Sequence, residues 1–211
     1  MCAPRRLILF TRFPKPGTTK TRLIPTLGPQ GAADLQRKMT ELMIQQAHLL
    51  TSDQPTDIFV YYEGGTALQM EQWLGKDLHY VQQQGKDIGQ RMYNAFMDGY
   101  TDGAEHIVLI GCDIPTIDHV LLTQAFSGLM SHTAVIGPST DGGYYLIGIH
   151  QQALPWLLSS VFTDITWSTS KVYKQTIAAL HTHQVSFTSL PLLRDIDRPD
   201  DLNTLPSELL G

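Results

Sequence analysis

His106-Ile-Val-Leu-Ile-Gly-Cys-Asp-Ile-Pro115 is the stretch that decides the fold. The apolar residues of 107–110 follow one another without polar neighbours, which is typical of a strand covered on both faces by helices. We therefore predict a central strand of a parallel sheet, with Asp113 at its carboxyl end. Ligands of open α/β sheets gather at this edge. Asp113 is expected either to hold a hard cation, Mg²⁺ or Mn²⁺, or to cap the helix after Pro115.

The composition limits the classes of protein to which the chain can belong. Its 211 residues carry a formal net charge of −5, which gives no broad basic surface for nucleic acid. Two cysteines, Cys2 and Cys112, cannot form a disulfide framework and favour a reducing compartment. The apolar run 7–10 is too short for a signal peptide or a membrane span. We expect one cytoplasmic domain over residues 1–211, without a membrane span or a nucleic-acid partner; a homodimer is left open.

A basic loop follows the first predicted strand, Leu7–Thr11. It reads Arg12-Phe-Pro-Lys-Pro-Gly-Thr-Thr-Lys-Thr-Arg22. Its cations and its glycine are candidates for phosphate contact: Arg12, Lys15, Gly17, Lys20 and Arg22. Such a loop offers backbone N–H donors and charge-assisted hydrogen bonds to a di- or triphosphate, although it lacks the Walker A spacing. A solvated basic turn is the alternative, and the position directly after a strand favours phosphate binding.

Helices and strands alternate along the rest of the chain. We predict helices over 30–50, from Asp87, over 118–130 and from Ser168, with Asp87 and Ser168 as N-caps. Further strands are predicted over 58–62, 78–81, 134–137 and 186–190. This alternation, without an internal repeat or a linker, is typical of an α/β fold with a mostly parallel sheet.

Two glycine-containing segments offer further candidate ligand contacts. Gly85–Arg91 opens a helix, and its Asp87, Gly89 and Arg91 form either a ligand edge or a plain capped helix start, which the spacing alone favours. Asp141-Gly142-Gly143-Tyr144 is either a hairpin turn or a place where backbone and an aromatic ring approach a ligand. Both alternatives remain open for the second segment.

The C-terminal third adds an aromatic residue and two carboxylates. Trp167 is either a core residue or a platform for substrate. Asp195 and Asp197 precede a helix that Pro199 begins. Because they approach the sheet, these two carboxylates could complete a cation site with Asp113.

Five motifs together resemble one family. They are Pro14-Lys-Pro-Gly-Thr-Thr-Lys-Thr-Arg-Leu23, Gly85-Lys-Asp-Ile-Gly-Gln-Arg-Met92, Gly111-Cys-Asp-Ile-Pro115, Gly137-Pro-Ser-Thr-Asp-Gly-Gly-Tyr-Tyr-Leu-Ile-Gly148 and Trp167-Ser-Thr-Ser170. In this order, from about Leu7 to Leu202, they resemble the small GT-A-like glycosyltransferases called DUF2064, some of which are assigned to arsenosugar biosynthesis. The ending, Asp195-Ile-Asp-Arg-Pro-Asp-Asp-Leu202, also looks like that of molybdenum-cofactor and phospholactate guanylyltransferases.

The resemblance implies a three-layer α/β/α domain with a nucleotide-diphospho-sugar transferase fold. It implies that the first loop meets the phosphates and that the Asp113 region replaces the usual Asp-x-Asp metal motif. Asp195 or Asp197 would then be the second carboxylate on the metal side. The sequence departs from the family pattern at Cys112, Ile114 and Thr140, where Ser, Cys and an acidic residue are common.

The leading functional hypothesis is glycosyl transfer from a nucleotide-activated sugar to a small-molecule acceptor. Lys20 and Arg22 would hold the diphosphate, and Asp113 would bind Mg²⁺ or Mn²⁺. The rest of the nucleotide site would comprise Arg12, Lys15, Gly17, Asp87, Gly89 and Arg91. The acceptor site would comprise Asp141, Gly142, Gly143, Tyr144 and Trp167. The alternatives are nucleotidyl transfer from a nucleoside triphosphate to a phosphorylated acceptor, as in guanylyltransferases, and a non-catalytic nucleotide-binding protein.

Overall fold

The computed structural model describes residues 4–205 and residue 209. Within these residues, seven strands form one sheet: β1 Arg5–Arg12, β2 Asp57–Glu63, β3 His79–Gln82, β4 His106–Gly111, β5 Ala134–Pro138, β6 Tyr144–His150 and β7 Phe187–Ser189. The order across the sheet is β3-β2-β1-β4-β6-β5-β7. Strand β6 runs antiparallel to both of its neighbours, whereas the other pairs are parallel.

Helices cover both faces of this sheet: α1 Ile24–Asp53, α2 Ala67–Leu74, α3 Ile88–Thr101, α4 His119–Leu129, α5 Trp156–Phe162 and α6 Val172–Thr182. Leu7 and Leu9 of β1 belong to the apolar cluster that contains α1, α2 and α4. Ile8 and Phe10, which point the other way, belong to the cluster with α3, α5 and α6. This three-layer arrangement with a mostly parallel sheet confirms the predicted fold class. No described helix combines the length and the apolar character that crossing a membrane requires.

Strand β4 is the buried central strand that the sequence predicted. It lies between β1 and β6, and Ile107, Val108 and Ile110 have no exposed surface. Its parallel neighbour β1 and the next strand, β2, end at the same edge of the sheet. The residues that follow these strands therefore meet at one edge.

Two predicted helix starts differ from the structure. A 3-10 turn, Thr21–Leu23, leads into α1, which begins before the predicted residue 30 and is interrupted at Gly28, where φ is +71°. The prediction that Ser168 caps α6 is wrong: the helix begins at Val172, because Ser168 adopts a left-handed φ of +61°. The Asp87 cap is confirmed, since its side chain accepts from the Gln90 N–H at 2.8 Å.

A third apolar cluster holds the C-terminal segment against the start of α1. Ile196, which is 1% exposed, and Leu202 pack with Leu23, Leu35 and Met39. The Ile196 N–H also donates to the Asp113 carbonyl at 2.9 Å. These contacts bring residues 195–197 to the carboxyl end of β4.

We expect the core strand β1 to be sensitive to truncation. Leu9→Ala removes a side chain with no exposed surface and should lower the free energy of unfolding by about 2–5 kcal/mol. The matched control, Leu68→Ala on α2, changes a side chain that is 60% exposed and should cost less than about 1 kcal/mol. Urea unfolding of both variants measures the difference, and equal losses would contradict the described burial of β1.

Candidate functional site

A cleft of about 460 Å³ lies at the carboxyl ends of β1, β2 and β4. Among the described residues that line it, four are basic and three are acidic: Arg12, Lys20, Arg22, Arg91, Glu63, Asp113 and Asp197. Threonine and glutamine side chains with Phe10 and Ile88 complete the wall. A charged cleft at this edge of an α/β sheet is the arrangement in which such folds bind ligands.

Lys20 joins the basic loop to the central strand. Its Nζ donates to Asp113 Oδ1 at 2.8 Å and to the Ile196 carbonyl at 2.7 Å. The Lys20 side chain is 6% exposed, whereas that of Asp113 is 59% exposed. Lys20 also has left-handed backbone angles, φ 45° and ψ 49°, which cost a residue with a Cβ about 1–2 kcal/mol. The ion pair and the carbonyl contact offset this cost and fix the ammonium at the floor of the cleft.

Thr19 fixes the turn of the loop just before Lys20. Its buried hydroxyl donates to the Phe13 carbonyl at 3.2 Å and accepts from the Lys15 N–H at 3.1 Å. Lys15 and Gly17 are exposed and lie outside the described lining of the cleft. Gly17 has a φ of +80°, so the turn itself uses the freedom of a glycine.

The two predicted C-terminal carboxylates have different positions. Asp197 lines the cleft and forms an ion pair with Arg22. Asp195 is half-buried and lies outside the described lining. Burial raises the pKa of Asp195, and the nearby Asp141, Asp201 and Asp197 carboxylates raise it further. Of the pair, Asp197 is therefore the carboxylate that shares the cleft with Asp113.

Glu63 is a cleft residue that the sequence analysis missed. It follows the apolar run of β2, and its side chain accepts hydrogen bonds from Arg12 and Arg91. Partial burial alone would raise the pKa of Glu63, but the hydrogen bonds and charge of Arg12, together with Arg91, outweigh burial and lower it. The signal that could have found Glu63 is the one used for Asp113: a carboxylate at the end of a strand, here before Gly64-Gly65.

Of the three candidate nucleotide contacts at the start of α3, only Arg91 lines the cleft. Asp87 and Gly89 have structural roles. Asp87 caps the helix, and its carboxylate accepts from the Gln90 N–H. Gly89 is buried, and a Cβ there would come within 2.1 Å of Trp167 Nε1. The glycine therefore permits close packing of Trp167 on α3, and the structure places neither Asp87 nor Gly89 in the described lining.

The predicted acceptor residues form a turn and a packing cluster beside the cleft. Asp141 accepts hydrogen bonds from the Ser139 hydroxyl and the Gly143 N–H and so closes the hairpin between β5 and β6. Gly142 has a φ of +88°, and a Cβ there would come within 2.3 Å of the Ser170 carbonyl. Both of these geometries favour the hairpin-turn interpretation of this segment.

The aromatic rings of Trp167 and Tyr144 pack against each other, and Trp167 also packs against Phe162. Trp167 stacks on Phe162 at 6.4 Å between ring centroids and meets Tyr144 edge-on at 6.3 Å. Its indole N–H donates to the Phe162 carbonyl at 3.2 Å, and burial raises the pKa of the Tyr144 hydroxyl. The core interpretation of Trp167 fits these contacts, and neither ring belongs to the described lining of the cleft.

Cys112 directly precedes Asp113 in the sequence and is buried, with 2% of its surface exposed. Burial raises the pKa of its thiol to about 12, and the charge of Asp113 acts in the same direction. A thiol with such a pKa is a poor nucleophile near neutral pH. Cys112 is therefore a small buried residue of the core and not a nucleophile of the cleft.

The carboxylates of the cleft fit a divalent cation only if other ligands, such as phosphate oxygens, complete its coordination shell. No cluster of three or more His, Cys, Asp or Glu side chains that could hold a metal was found among residues 4–205 and 209. Asp113 and Asp197 are instead paired with Lys20 and Arg22. Mg²⁺ usually takes one or two protein carboxylates and completes its shell with phosphate oxygens and water. The exposed Asp113 carboxylate fits an ion that arrives with a phosphate ligand.

Comparisons with other proteins agree with this architecture. Residues 46–169 match the model of the family DUF2064, which is described as uncharacterized protein conserved in bacteria. The crystal structure of a proposed nucleotide-diphospho-sugar transferase from Desulfovibrio desulfuricans superposes with a TM-score of 0.89. The two sequences are 32% identical, and the alignment covers 98% of this chain and 87% of that chain. No curated protein matches the sequence.

More distant structures share the fold alone. An inositol-1-phosphate CTP transferase from T. maritima has a TM-score of 0.57 at 15% identity and covers 98% of this chain and 93% of its own. A CMP:2-keto-3-deoxy-manno-octonic acid synthetase complexed with CTP has a TM-score of 0.56 at 10% identity, with coverages of 95% and 96%. The expected nucleotide-diphospho-sugar transferase fold is thus confirmed, and cytidylyltransferases share it.

Asp195 gives a pH-dependent test of the site's electrostatics. Its folded-state pKa is raised above the ordinary 3.8, so the native state binds the proton more tightly than the unfolded chain and loses stability as pH rises through this range. Asp195→Asn should therefore stabilise the protein near pH 7, by about 1 kcal/mol or less, and the gain should shrink near pH 3.5. Urea unfolding at both pH values measures it.

The exposed Asp164 provides the control for this measurement. Asp164→Asn should change the free energy of unfolding by less than about 0.5 kcal/mol at either pH. A loss of stability in Asp195→Asn near pH 7 would contradict the description of Asp195 as a carboxylate disfavoured in the folded state.

Proposed function

We propose, from the premise that this chain belongs to the DUF2064 family of bacterial proteins, that it transfers a sugar from a nucleotide-activated donor to a small-molecule acceptor. The observation that carries the proposal is the position of Lys20, Arg22, Asp113 and Asp197 in one cleft at the ends of β1 and β4. The proposed nucleotide-diphospho-sugar transferase from Desulfovibrio desulfuricans, 32% identical, supports the same reaction class.

In this proposal the basic residues bind the diphosphate of the donor. Arg22 is 64% exposed and can turn from Asp197 to a phosphate oxygen, since both partners offer a guanidinium the same charge-assisted hydrogen bonds. Lys20 is held more tightly and supplies a fixed positive charge at the floor. Catalysis then consists of positioning the donor and neutralising the charge that develops on the leaving diphosphate.

A divalent cation is part of the proposal. Asp113, with Asp197 beside it, would hold Mg²⁺ or Mn²⁺ together with the diphosphate, and the ion would stabilise the negative charge of the leaving group. Four further candidates are proposed only as residues around the site, since they lie outside the described lining of the cleft: Lys15, Gly17, Asp87 and Asp195. Acceptor contacts are proposed for the hairpin Asp141–Tyr144, where Asp141 is exposed. Trp167, which packs against Phe162 and α3, would support this side of the site without touching the acceptor.

Nucleotidyl transfer is the second candidate, because the same fold occurs in an inositol-1-phosphate CTP transferase and in a synthetase complexed with CTP. The same cleft would hold a nucleoside triphosphate, and a phosphorylated acceptor would attack its α-phosphorus. Only this reaction releases pyrophosphate. Pyrophosphate is therefore the product that separates the two candidates.

The deciding experiment is a panel of nucleotide sugars and nucleoside triphosphates, each with and without Mn²⁺. Ligand binding raises the midpoint of thermal unfolding by mass action, so the panel identifies the donor. Donors that bind are then incubated with acceptor mixtures, and nucleoside diphosphate and pyrophosphate are measured. Nucleoside diphosphate supports glycosyl transfer and pyrophosphate supports nucleotidyl transfer. Binding without turnover of any donor would favour a non-catalytic nucleotide-binding protein.

Asp113→Ala should abolish Mn²⁺-dependent stabilisation by the donor and lower turnover at least about 100-fold, since a charged group of the reaction site is lost. The matched control is Asp118→Ala, which removes the N-cap of α4, where the Asp118 carboxylate accepts from the Leu121 N–H at 2.8 Å. That variant should lose about 1 kcal/mol of stability but retain Mn²⁺-dependent binding. Unchanged Mn²⁺ dependence in Asp113→Ala would reject the metal assignment.

A further inference from the structure

Two clusters of charged residues flank the end of β1 within the cleft. One contains Asp113, after the end of β4, with Lys20 of the basic loop. The other contains Glu63, at the end of β2, with Arg12 of β1 and Arg91 of α3. Because β1 lies between β2 and β4, the backbone positions of Glu63 and Asp113 are about two strand spacings apart, roughly 10 Å. The proposed function uses the first cluster and assigns no task to Glu63.

In the second cluster, one carboxylate holds two guanidinium groups. Arg12 and Glu63 are register partners on β1 and β2, and the Arg12 Nε donates to Glu63 Oε2 at 2.9 Å. The Arg91 Nη2 donates to the other carboxylate oxygen at 3.3 Å. Two like charges would otherwise repel each other, so the carboxylate allows both guanidinium groups to occupy one wall of the cleft. One positive charge remains in excess and faces the ligand space.

Arg91 is held more firmly than a surface arginine needs to be. Its Nε donates to the Gly85 carbonyl and its Nη1 to Gln83 Oε1, both at 3.3 Å. Gln83 is fixed in turn, because its Nε2 donates to the Tyr61 carbonyl at 2.9 Å. The Arg91 side chain is 25% exposed. Ion pairs with exposed side chains contribute little to stability, so stability alone does not explain this network. Because Arg91 is already held in place by its neighbours, it would lose little further conformational freedom on binding a ligand.

We propose that Glu63 is a positioning residue that orients Arg12 and Arg91 as a second anion-binding pair, opposite Lys20. The cleft then binds a di- or triphosphate chain from both sides of β1. This inference rests on the proposal that the cleft accepts a nucleotide, and it adds that phosphate binding requires a carboxylate that never touches the phosphate. If Glu63 merely competed with phosphate for the two arginines, removing its charge would instead raise the affinity for phosphate.

The test uses inorganic pyrophosphate as the probe, since it requires no knowledge of the base or sugar. Calorimetric titration of the full chain should give a dissociation constant that Glu63→Gln raises roughly 10- to 100-fold, as expected for the loss of hydrogen bonds to charged groups. Glu63→Asp keeps the charge and should recover part of the affinity. Glu105→Gln, the same change at an exposed residue before β4 at the other edge of the sheet, should leave the constant unchanged.

A double-mutant cycle separates positioning from a general charge effect. If Glu63 acts through Arg91, then Glu63→Gln should weaken binding much less in an Arg91→Lys background than in the wild type. Thermal melting of each variant monitors folding. Equal or tighter binding of pyrophosphate to Glu63→Gln, full additivity of the two changes, or no binding to the wild type would overturn the inference.

The same variants distinguish this inference from the proposed function. Glu63-dependent binding of pyrophosphate together with no turnover of any nucleotide sugar would leave the anion site in place and reject glycosyl transfer. Turnover of a nucleotide sugar that is unaffected in Glu63→Gln, with its KM unchanged, would reject the positioning role and retain the proposed function.

Discussion

The contact of the Lys20 ammonium with Asp113 and Ile196 is the interaction on which the rest of the site depends. It joins the loop after β1, the end of β4 and the C-terminal segment, which are far apart in sequence. The charged end of a lysine side chain that is only 6% exposed requires a charged or strongly polar partner, and Lys20 has both. The Ile196 N–H, bonded to the Asp113 carbonyl, closes the same junction through the backbone. Loop, strand and C-terminal segment therefore hold one another in place.

Electrostatics explains how one cleft holds so many charged side chains. Its basic residues are paired with carboxylates: Lys20 with Asp113, Arg22 with Asp197, and Arg12 and Arg91 with Glu63. Each of these pairs includes a side chain with considerable exposure, so water and a ligand can reach its charged atoms. The lowered pKa of Glu63 keeps its carboxylate charged well below neutral pH. The cleft is thus preorganised for anions without a net repulsion that would destabilise the fold.

Local sequence rules predicted the sheet and the main residues of the cleft, because both depend on where strands end. The buried run before Asp113 and the basic loop after β1 sufficed to bring Asp113, Lys20 and Arg22 together. The same rules could not predict the roles of Gly89 and Trp167, which meet only because α3 and the 163–171 segment pack side by side. Ser168 failed as a cap for a related reason, since its backbone is left-handed and the next helix starts later. The spacing of residues in the sequence predicts the periodicity of a single helix or strand. It does not predict contacts between different elements, such as that between Gly89 and Trp167.

The charge balance of the cleft bears directly on the two candidate reactions. Among its described lining residues the basic groups exceed the acidic ones by a single charge, which is too little to neutralise a diphosphate or a triphosphate in a partly enclosed site. Both reactions would therefore benefit from an added cation near Asp113, and neither is favoured by the charged residues themselves. The two proposals differ instead in the donor and in the atom attacked: the anomeric carbon of a nucleotide sugar in one case and the α-phosphorus of a nucleoside triphosphate in the other. Under the proposed function, the residues that would separate the two reactions are therefore those assigned to the acceptor, near the β5–β6 hairpin, and not the charged residues that line the cleft.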